Sequence, residues 1–272
     1  MPAVSIVIPC FNHGKFLPEA IESVKPLKEN DTAEIIIVND GSTDKQTLEI
    51  LEKLAANGWK IIHQQNLGLA EARNNGIRHS SGLYILPLDS DNICIPSFVN
   101  DAIRILERHP DIDIVYSDCE FFGEKNYYKK VGEFDPCKLI NDNFIDACAI
   151  YRKKIWEELK GYNKNIPHMG HEDWDFWIGA LMLNKRFHYE AICGFKYRVR
   201  QNSMLDKLTD EKGEENRQYI YSKYNFQLLN SIRMNYNGDT EKYKERYFKQ
   251  IESLNERRLK NIAKLLIGKK FG

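Results

Sequence analysis

Two aspartates, Asp89 and Asp91, end the apolar run 83–88 and stand one residue apart. Ionised carboxylates at that spacing repel each other unless a positive charge lies between them. A divalent cation, Mn²⁺ or Mg²⁺, prefers hard oxygen ligands of this kind. The pair therefore indicates a metal site built from Asp89 and Asp91, although a lone D-x-D triplet also occurs by chance and is weak evidence alone.

Other side chains suited to binding chemistry follow neighbouring strand-like runs. Phe11 follows the first run, Asp40 ends the second, and Arg73 lies near the start of the helix after the third. An aromatic ring can stack on a base, a carboxylate can accept a base N–H, and a guanidinium can bind a diphosphate through two hydrogen bonds. With the acidic pair, this set suits a nucleoside diphosphate. Alone, Asp40 is more simply a turn residue and Arg73 a solvated helix residue, so the prediction depends on their sharing one edge.

Alternating strands and helices would bring these residues to one edge. Apolar, β-branched runs predict strands at 4–9, 34–40, 59–64, 83–88 and 113–122. Helical spacing predicts helices at 16–24, 69–79 and 97–108, and another that begins with a capping box from Thr43 to Gln46. Strands that are apolar throughout are typical of an α/β fold whose parallel sheet is covered on both faces. Ligands of such sheets bind beyond the carboxyl ends of the strands.

The second half of the sequence is less regular. Residues 123–150 are polar and irregular, 174–182 is predicted to be a helix, and 187–198 a strand or hairpin. From about Thr209 the chain is polar, charged and predicted to be helical. We therefore expect a domain at 1–205, with halves at 1–122 and 123–205, and a helical C-terminal extension at 206–272.

Composition excludes several classes of protein. Lysine plus arginine equals aspartate plus glutamate, at 39 each, so the basic field expected of a nucleic-acid-binding protein is missing. Neither G-x-G-x-x-G nor G-x-x-x-x-G-K-[ST] occurs, which argues against dehydrogenases and P-loop NTPases. The six cysteines are scattered, no apolar stretch is long enough to span a bilayer, and the N-terminus does not resemble a signal peptide. We therefore expect reduced cysteines and a cytoplasmic location.

Five stretches in order resemble a known family, the inverting glycosyltransferases with the GT-A fold that are called glycosyltransferase family 2. They are VSIVIPCFN (4–12), IIIVNDGSTD (35–44), NLGLAEARNNGI (66–77), LPLDSDN (86–92) and HEDWDFW (171–177). The resemblance implies a mostly parallel, Rossmann-like sheet flanked by helices. It also implies metal-dependent transfer of a hexose or N-acetylhexosamine from a UDP-sugar to a hydroxyl of a glycan, glycoprotein or lipid-linked acceptor.

The resemblance also implies roles for individual residues. The first half would bind the nucleotide sugar and the second half the acceptor. The expected nucleotide-sugar-binding residues are Pro9, Phe11, Asn12, Asp40, Asn66, Arg73, Asp89, Ser90, Asp91 and Arg200. Asp91 and Asp89 would hold Mn²⁺ or Mg²⁺, and Asp173 would be the general base, at a helix start whose dipole favours the ionised carboxylate. Candidates on the acceptor side are Glu172, Trp174 and His171. Trp174 could stack on a sugar or lie in the core, whereas Trp177 is expected in the core.

One position departs from the family. Many relatives read Tyr-Arg-x-His after the last strand and use that histidine as a metal ligand, but here the stretch is YRVRQNSM, with Arg200 in its place. Because arginine does not ligate cations, the ion would be held by Asp91, the diphosphate and water. Arg200, with Arg198, would pair with the diphosphate; the alternative is that Arg200 pairs with a surface carboxylate.

The basic segment 256–272 carries an apolar stripe at Leu259, Ile262, Ala263 and Leu266. It could lie on an anionic membrane surface near a lipid-linked acceptor. It could also pack on the catalytic domain or on another subunit of a homo-oligomer, and we favour packing of this kind over the membrane surface.

Two other functions stay open. The first is a sugar-nucleotide pyrophosphorylase, which usually begins with a glycine-rich, basic phosphate-binding loop; the segment CFNHGKF does not have that composition. The second is a catalytically silent binding scaffold, which would not need Asp89, Asp91 and Asp173.

Overall fold

The computed structural model describes residues 2–201 and 208–235, with side chains up to Tyr224. The strands are β1 (Val4–Cys10), β2 (Ala33–Asp40), β3 (Lys60–Gln64), β4 (Tyr84–Pro87), β5 (Ile93–Cys94), β6 (Ile114–Gly123), β7 (Tyr127–Lys129), β8 (Ile150–Arg152) and β9 (Phe187–Val199). The helices are α1 (Leu17–Glu29), α2 (Lys45–Ala56), α3 (Leu69–Arg78), α4 (Pro96–Arg108), α5 (Pro136–Asn141), α6 (Lys153–Leu159), α7 (Glu172–Met182) and α8 (Asp210–Asn235).

The strands form one mixed sheet in the order β3-β2-β1-β4-β8-β6-β9-β5, with β7 beside β6. Neighbours β3, β2, β1 and β4 are parallel, as are β6 and β9. The short strand β8 is antiparallel to both β4 and β6, so these two longer strands run in the same direction. The predicted α/β architecture with a mostly parallel sheet is confirmed, and the antiparallel β8 is a feature that the sequence reading did not contain.

The first half folds as its apolar pattern predicts, because β1 and most of β2 are buried on both faces. Helix α3 packs closely on the sheet through Gly76, where a Cβ atom would lie 2.3 Å from Val7 Cγ1. One detail of the prediction is wrong. The residue that caps α2 is Asp44, whose Oδ2 accepts from Thr47 N at 2.8 Å, and not Thr43.

The second half is organised around the parallel pair β6 and β9, whose register shifts near Asp118. That buried carboxylate accepts hydrogen bonds from the Tyr128 and Tyr189 hydroxyls and from Val131 N, so it fixes β7 and the loop after it. The polar segment 123–150 therefore contains ordered structure, including β7 and α5, that its sequence did not predict.

The start of helix α8 packs on α7. Lys223 Nζ lies 2.7 Å from Asp175 Oδ2, and the Asn216 side chain donates to the backbone oxygens of His168 and Gly170. One compact unit accordingly includes the described residues up to Asn225, and the domain boundary expected near residue 205 stays a prediction. The apolar stripe at 259–266 lies outside the described residues.

All six cysteines are free thiols and four are buried. Within 2–201 and 208–235, no helix combines the length and apolarity needed to cross a membrane.

Candidate active site

A cavity of about 790 Å³ opens at the carboxyl ends of β1, β2 and β4. The predicted nucleotide-sugar residues that line it are Pro9, Phe11, Asn12, Asp40, Asn66, Asp89, Ser90, Asp91 and Arg200. Their convergence follows from the sheet, because parallel strands bring their carboxyl ends to the same edge. A larger groove of about 990 Å³, between Lys28 and Trp59, borders the amino end of β2, where sheets of this class do not bind their ligands.

The proposed base-binding end combines a free ring with a fixed carboxylate. Phe11 is 41% exposed, so its ring is available for stacking. Asp40 is buried, and its oxygens accept from Gln64 Nε2 at 2.7 Å, Leu67 N at 2.8 Å and Gly68 N at 3.0 Å. A carboxylate offers about four acceptor positions, so one remains for a ligand N–H. The three protein bonds hold Asp40 at a set orientation.

Asn12 ties the ends of the first two strands together. Its Oδ1 accepts from Thr43 N at 2.8 Å and from Asp44 N at 2.9 Å. Its backbone has a positive φ of 55°, a conformation that asparagine tolerates better than most residues. Since its side-chain oxygen is used within the protein, Asn12 shapes the rim of the cavity, and a contact with the nucleotide stays a prediction.

Arg73 is a buried node that links the two halves of the site. Its side chain is 1% exposed; Nη2 donates to Asp89 Oδ1 at 2.8 Å and Nη1 to Glu172 Oε1 at 2.5 Å. These two carboxylates raise the pKa of Arg73 against the effect of burial. Arg73 does not line the cavity, unlike the other predicted nucleotide-sugar residues. Both terminal amino groups already bind protein carboxylates, so the structure does not show the expected diphosphate contact, which stays a prediction.

Asp173, the predicted base, is held beside this node. Its Oδ1 accepts from Asn143 Nδ2 at 3.0 Å and from Trp174 N at 2.8 Å. Burial raises the pKa of Asp173 and outweighs the opposing charge of Arg73. The helix dipole was expected to keep this carboxylate ionised by lowering its pKa, but burial has the larger effect and raises the pKa. A raised pKa lies closer to the range that suits a general base.

Two of the three acceptor-side candidates are corrected by their burial. Trp174 is 1% exposed and its Nε1 donates to Leu139 O at 2.6 Å, so no ring face is open to a sugar. Glu172 is buried against Arg73 and cannot contact an acceptor. His171 is half-buried, is the N-cap residue of α7 with a positive φ of 64°, and lies edge-on to Trp174. Trp177 is in the core, as expected.

Asp91, the second aspartate of the pair, is held by Arg200. Arg200 Nε donates to Asp91 Oδ2 at 2.8 Å, and its Nη2 lies 2.7 Å from His13 Nε2. Because arginine only donates, His13 Nε2 accepts, and His13 Nδ1 therefore carries the proton and donates to Ser90 Oγ at 2.9 Å. Burial lowers the pKa of His13, which favours this neutral form.

The alternative to a diphosphate contact was that Arg200 pairs with a surface carboxylate. Its partner is a carboxylate, that of Asp91, which lines the cavity and does not lie on the outer surface. Arg198 supports the same turn by donating from Nε to Asp91 O at 2.9 Å. His13 was missed by sequence reasoning. The signal for it was its place directly after Phe11 and Asn12, at the end of β1.

The cavity offers few side-chain ligands for a divalent cation. No three His, Cys, Asp or Glu side chains of the described chain gather into a metal site. Mg²⁺ in proteins, however, commonly uses one or two carboxylates together with substrate phosphates and water. Asp91 can supply one such oxygen, with Asp89 one residue away. The residues therefore fit a cation shared with a diphosphate better than a resident ion.

Most of the chain also matches a known protein family. The family model described as "Glycosyl transferase family 2" matches residues 5–193, well over half of the chain. The chain belongs to glycosyltransferase family 2. The matched range contains β1 through most of β9, including Asp40, the Asp89–Asp91 pair and Asp173.

Two sequence relatives and one solved structure are similar to this glycosyltransferase over most of its chain. It is 29% identical to an uncharacterized glycosyltransferase of Methanocaldococcus jannaschii, over 82% of this chain and 78% of that protein. It is 27% identical to a chondroitin synthase of Escherichia coli, over 78% of this chain but only 31% of the relative. The structure of TarS from S. aureus with UDP-GlcNAc has a TM-score of 0.67 at 20% identity, covering 82% of this chain and 66% of that one. This likeness confirms the GT-A fold of the glycosyltransferase.

Proposed function

We propose that the chain is a metal-dependent, inverting glycosyltransferase that moves a hexose or N-acetylhexosamine from a UDP-sugar to a hydroxyl of a glycan, glycoprotein or lipid-linked acceptor. The main support is the buried side chain of Arg73, which forms ion pairs with Asp89 of the cavity and with Glu172, the neighbour of Asp173. One residue thus couples the nucleotide side to the proposed base. The UDP-GlcNAc complex of TarS and the chondroitin synthase relative support a UDP-sugar donor and a glycan acceptor.

The residues divide the chemistry between the two sides of the transferred sugar. The Phe11 ring stacks on uracil, and Asp40 accepts a base N–H. Asp91 would hold Mn²⁺ or Mg²⁺ with Asp89 alongside, and the ion when bound supplies positive charge to the departing diphosphate. Arg200 exchanges Asp91 for a phosphate oxygen and adds a second positive charge there.

Asp173 takes the proton of the acceptor hydroxyl on the opposite side of the sugar. Attack from that side inverts the anomeric carbon. The raised pKa of Asp173 makes it a stronger base than a carboxylate in water. Since it acts in its ionised form, turnover should rise as pH increases through that raised pKa. The Asn143 bond fixes Oδ1 and leaves Oδ2 for the acceptor.

The test is release of UDP from UDP-Glc, UDP-Gal, UDP-GlcNAc and UDP-GalNAc with MnCl₂ and candidate acceptors. Asp173→Asn should lower turnover by roughly 10²–10⁴-fold with little change in UDP affinity, and should remove the acid limb of the pH profile. If Glu172→Gln gave this loss while Asp173→Asn did not, the two carboxylates would have the opposite roles.

A silent nucleotide-sugar-binding scaffold is the second candidate. It is favoured only by the ion pairs that already occupy Asp89 and Asp91. Binding of UDP-sugars without turnover, equal in the parent protein and in Asp173→Asn, would establish it and exclude the transferase.

A further inference from the structure

Tyr197 is a cavity residue that the nucleotide and base assignments leave unused. It lies in β9, is half-buried and lines the cavity together with Asp89 and Asp91. Its backbone is fixed on both sides, since Lys196 pairs with Ile93 and Arg198 N donates to Asn92 Oδ1 at 3.0 Å. The side chain therefore projects from a rigid strand and not from a loop.

The ring of Tyr197 belongs to a row of three aromatic side chains across neighbouring strands. Phe121 of β6 pairs in register with Tyr197 and with Tyr127 of β7. The ring centroids of Tyr197 and Phe121 are 5.0 Å apart, and those of Phe121 and Tyr127 are 4.4 Å apart with the rings nearly parallel. This packing restricts the ring, so its hydroxyl is presented at a set position.

The hydroxyl of Tyr197 has no hydrogen-bond partner among the described residues, although other tyrosines of the sheet do. Tyr116 donates to Gly132 O, and Tyr128 and Tyr189 donate to Asp118. Burial raises the pKa of Tyr197, and the surrounding carboxylates add to that effect. The hydroxyl therefore keeps its proton at working pH and is a donor that needs an acceptor from a ligand.

The surroundings of the hydroxyl indicate which part of the ligand it meets. Tyr197 lines the cavity together with Asp89 and Asp91, which belong to the diphosphate side, and it also interacts electrostatically with Asp173, the proposed base. In an in-line displacement, the transferred sugar lies between the leaving diphosphate and the attacking hydroxyl. A cavity-lining group that interacts with carboxylates of both sides is therefore suited to contact the sugar.

We propose that the Tyr197 hydroxyl donates a hydrogen bond to an oxygen of the transferred sugar and so contributes to the choice of donor. The inference rests on the proposed function, since it needs a nucleotide sugar in the cavity. It adds a donor-specificity residue whose position is set by the aromatic row.

The experiment compares the affinities of UDP and of the four UDP-sugars by isothermal titration calorimetry with MnCl₂. Tyr197→Phe removes only the hydroxyl and keeps the ring that packs on Phe121. It should weaken the preferred UDP-sugar by roughly 2- to 13-fold, the range for one neutral hydrogen bond, and leave UDP unchanged. The matched control is Tyr127→Phe, which removes a hydroxyl from the exposed end of the same row and should change neither affinity.

The outcomes separate this inference from the function on which it rests. A selective loss for the UDP-sugar, together with a flatter preference among the four sugars, supports it. An equal loss for UDP and UDP-sugar, no loss in either, or the same loss in Tyr127→Phe overturns it while the proposed function stands. If the parent protein binds UDP and none of the UDP-sugars, the proposed function fails first and the inference with it.

Discussion

Replacement of Arg73 by methionine should be among the most damaging single changes in the site. Methionine keeps an unbranched apolar stem but removes the charge that lies 2.5 Å from Glu172 and 2.8 Å from Asp89. Removing one partner of a buried ion pair costs about 3–5 kcal/mol, because the other charge stays buried without compensation. Asp89 is partly exposed and can regain water, whereas Glu172 cannot. We therefore expect a loss near the lower end, about 3 kcal/mol in the free energy of unfolding.

The same helix provides a matched control. Arg78 also lies 2.5 Å from a carboxylate, that of Glu71, but its side chain is 47% exposed. Exposed pairs contribute about 0–1 kcal/mol, so Arg78→Met should lose far less than Arg73→Met in urea unfolding at pH 7. The comparison holds helix and pair distance constant and changes burial.

The pH dependence gives a second signature. Burial raises the pKa of Glu172 and Arg73 opposes that rise, so Arg73→Met should raise the folded-state pKa further. A carboxyl with a folded pKa above its unfolded value destabilises the fold when it is ionised, and protonation relieves this as pH falls through the folded pKa. The deficit of Arg73→Met should therefore shrink between pH 7 and pH 5. A deficit no larger than that of Arg78→Met, or one independent of pH, would refute the reasoning.

Three further changes test the site and its support. Asp91→Ala should abolish Mn²⁺-dependent UDP binding without unfolding the protein, and unchanged Mn²⁺ dependence in UDP calorimetry would contradict the metal assignment. Arg200→Ala should lower UDP affinity and turnover together, whereas Arg200→His should bind Mn²⁺ more tightly in titrations without nucleotide; full activity of Arg200→Ala would exclude its role. Gly76→Ala should cost about 1–3 kcal/mol by overpacking against Val7, while Gly213→Ala in helix α8, with no atom closer than 3.9 Å, should be neutral or stabilising in urea unfolding.

The fold could be predicted where burial leaves a long, regular pattern. Strands β1 and β2 are apolar on both faces, and α1 repeats Leu17, Ala20 and Val24 on its buried side. Strand β8 spans only Ile150–Arg152, too short for any periodicity, and owes its place to the gap between β4 and β6. Tertiary pairing, and not local pattern, creates such a strand.

The candidate site divides in a similar way. Residues that end parallel strands, such as Asp40 and Asp91, could be placed at one edge from the sequence because the sheet aligns them. The partners of those residues could not. Arg73 and Glu172 are 99 positions apart, and the local sequence around either residue does not predict their contact. Trp174 was ambiguous because α7 is buried nearly all around, so helical spacing did not distinguish a core face from a ligand face.

The repulsion between Asp89 and Asp91 is offset by positively charged side chains of the protein itself. Each carboxylate has its own guanidinium, Arg73 behind the cavity and Arg200 at its rim. The two arginines differ in what they can do, because Arg73 is enclosed while Arg200 lines the cavity and can change partners. In the proposed metal site, a cation that arrives alone would have to compete with Arg200 for Asp91. A cation that arrives with a diphosphate brings an anion to which Arg200 can transfer, so the two ligands should each favour the binding of the other, as linkage requires. In the proposed enzyme, Arg200 would thus make cation binding depend on the nucleotide.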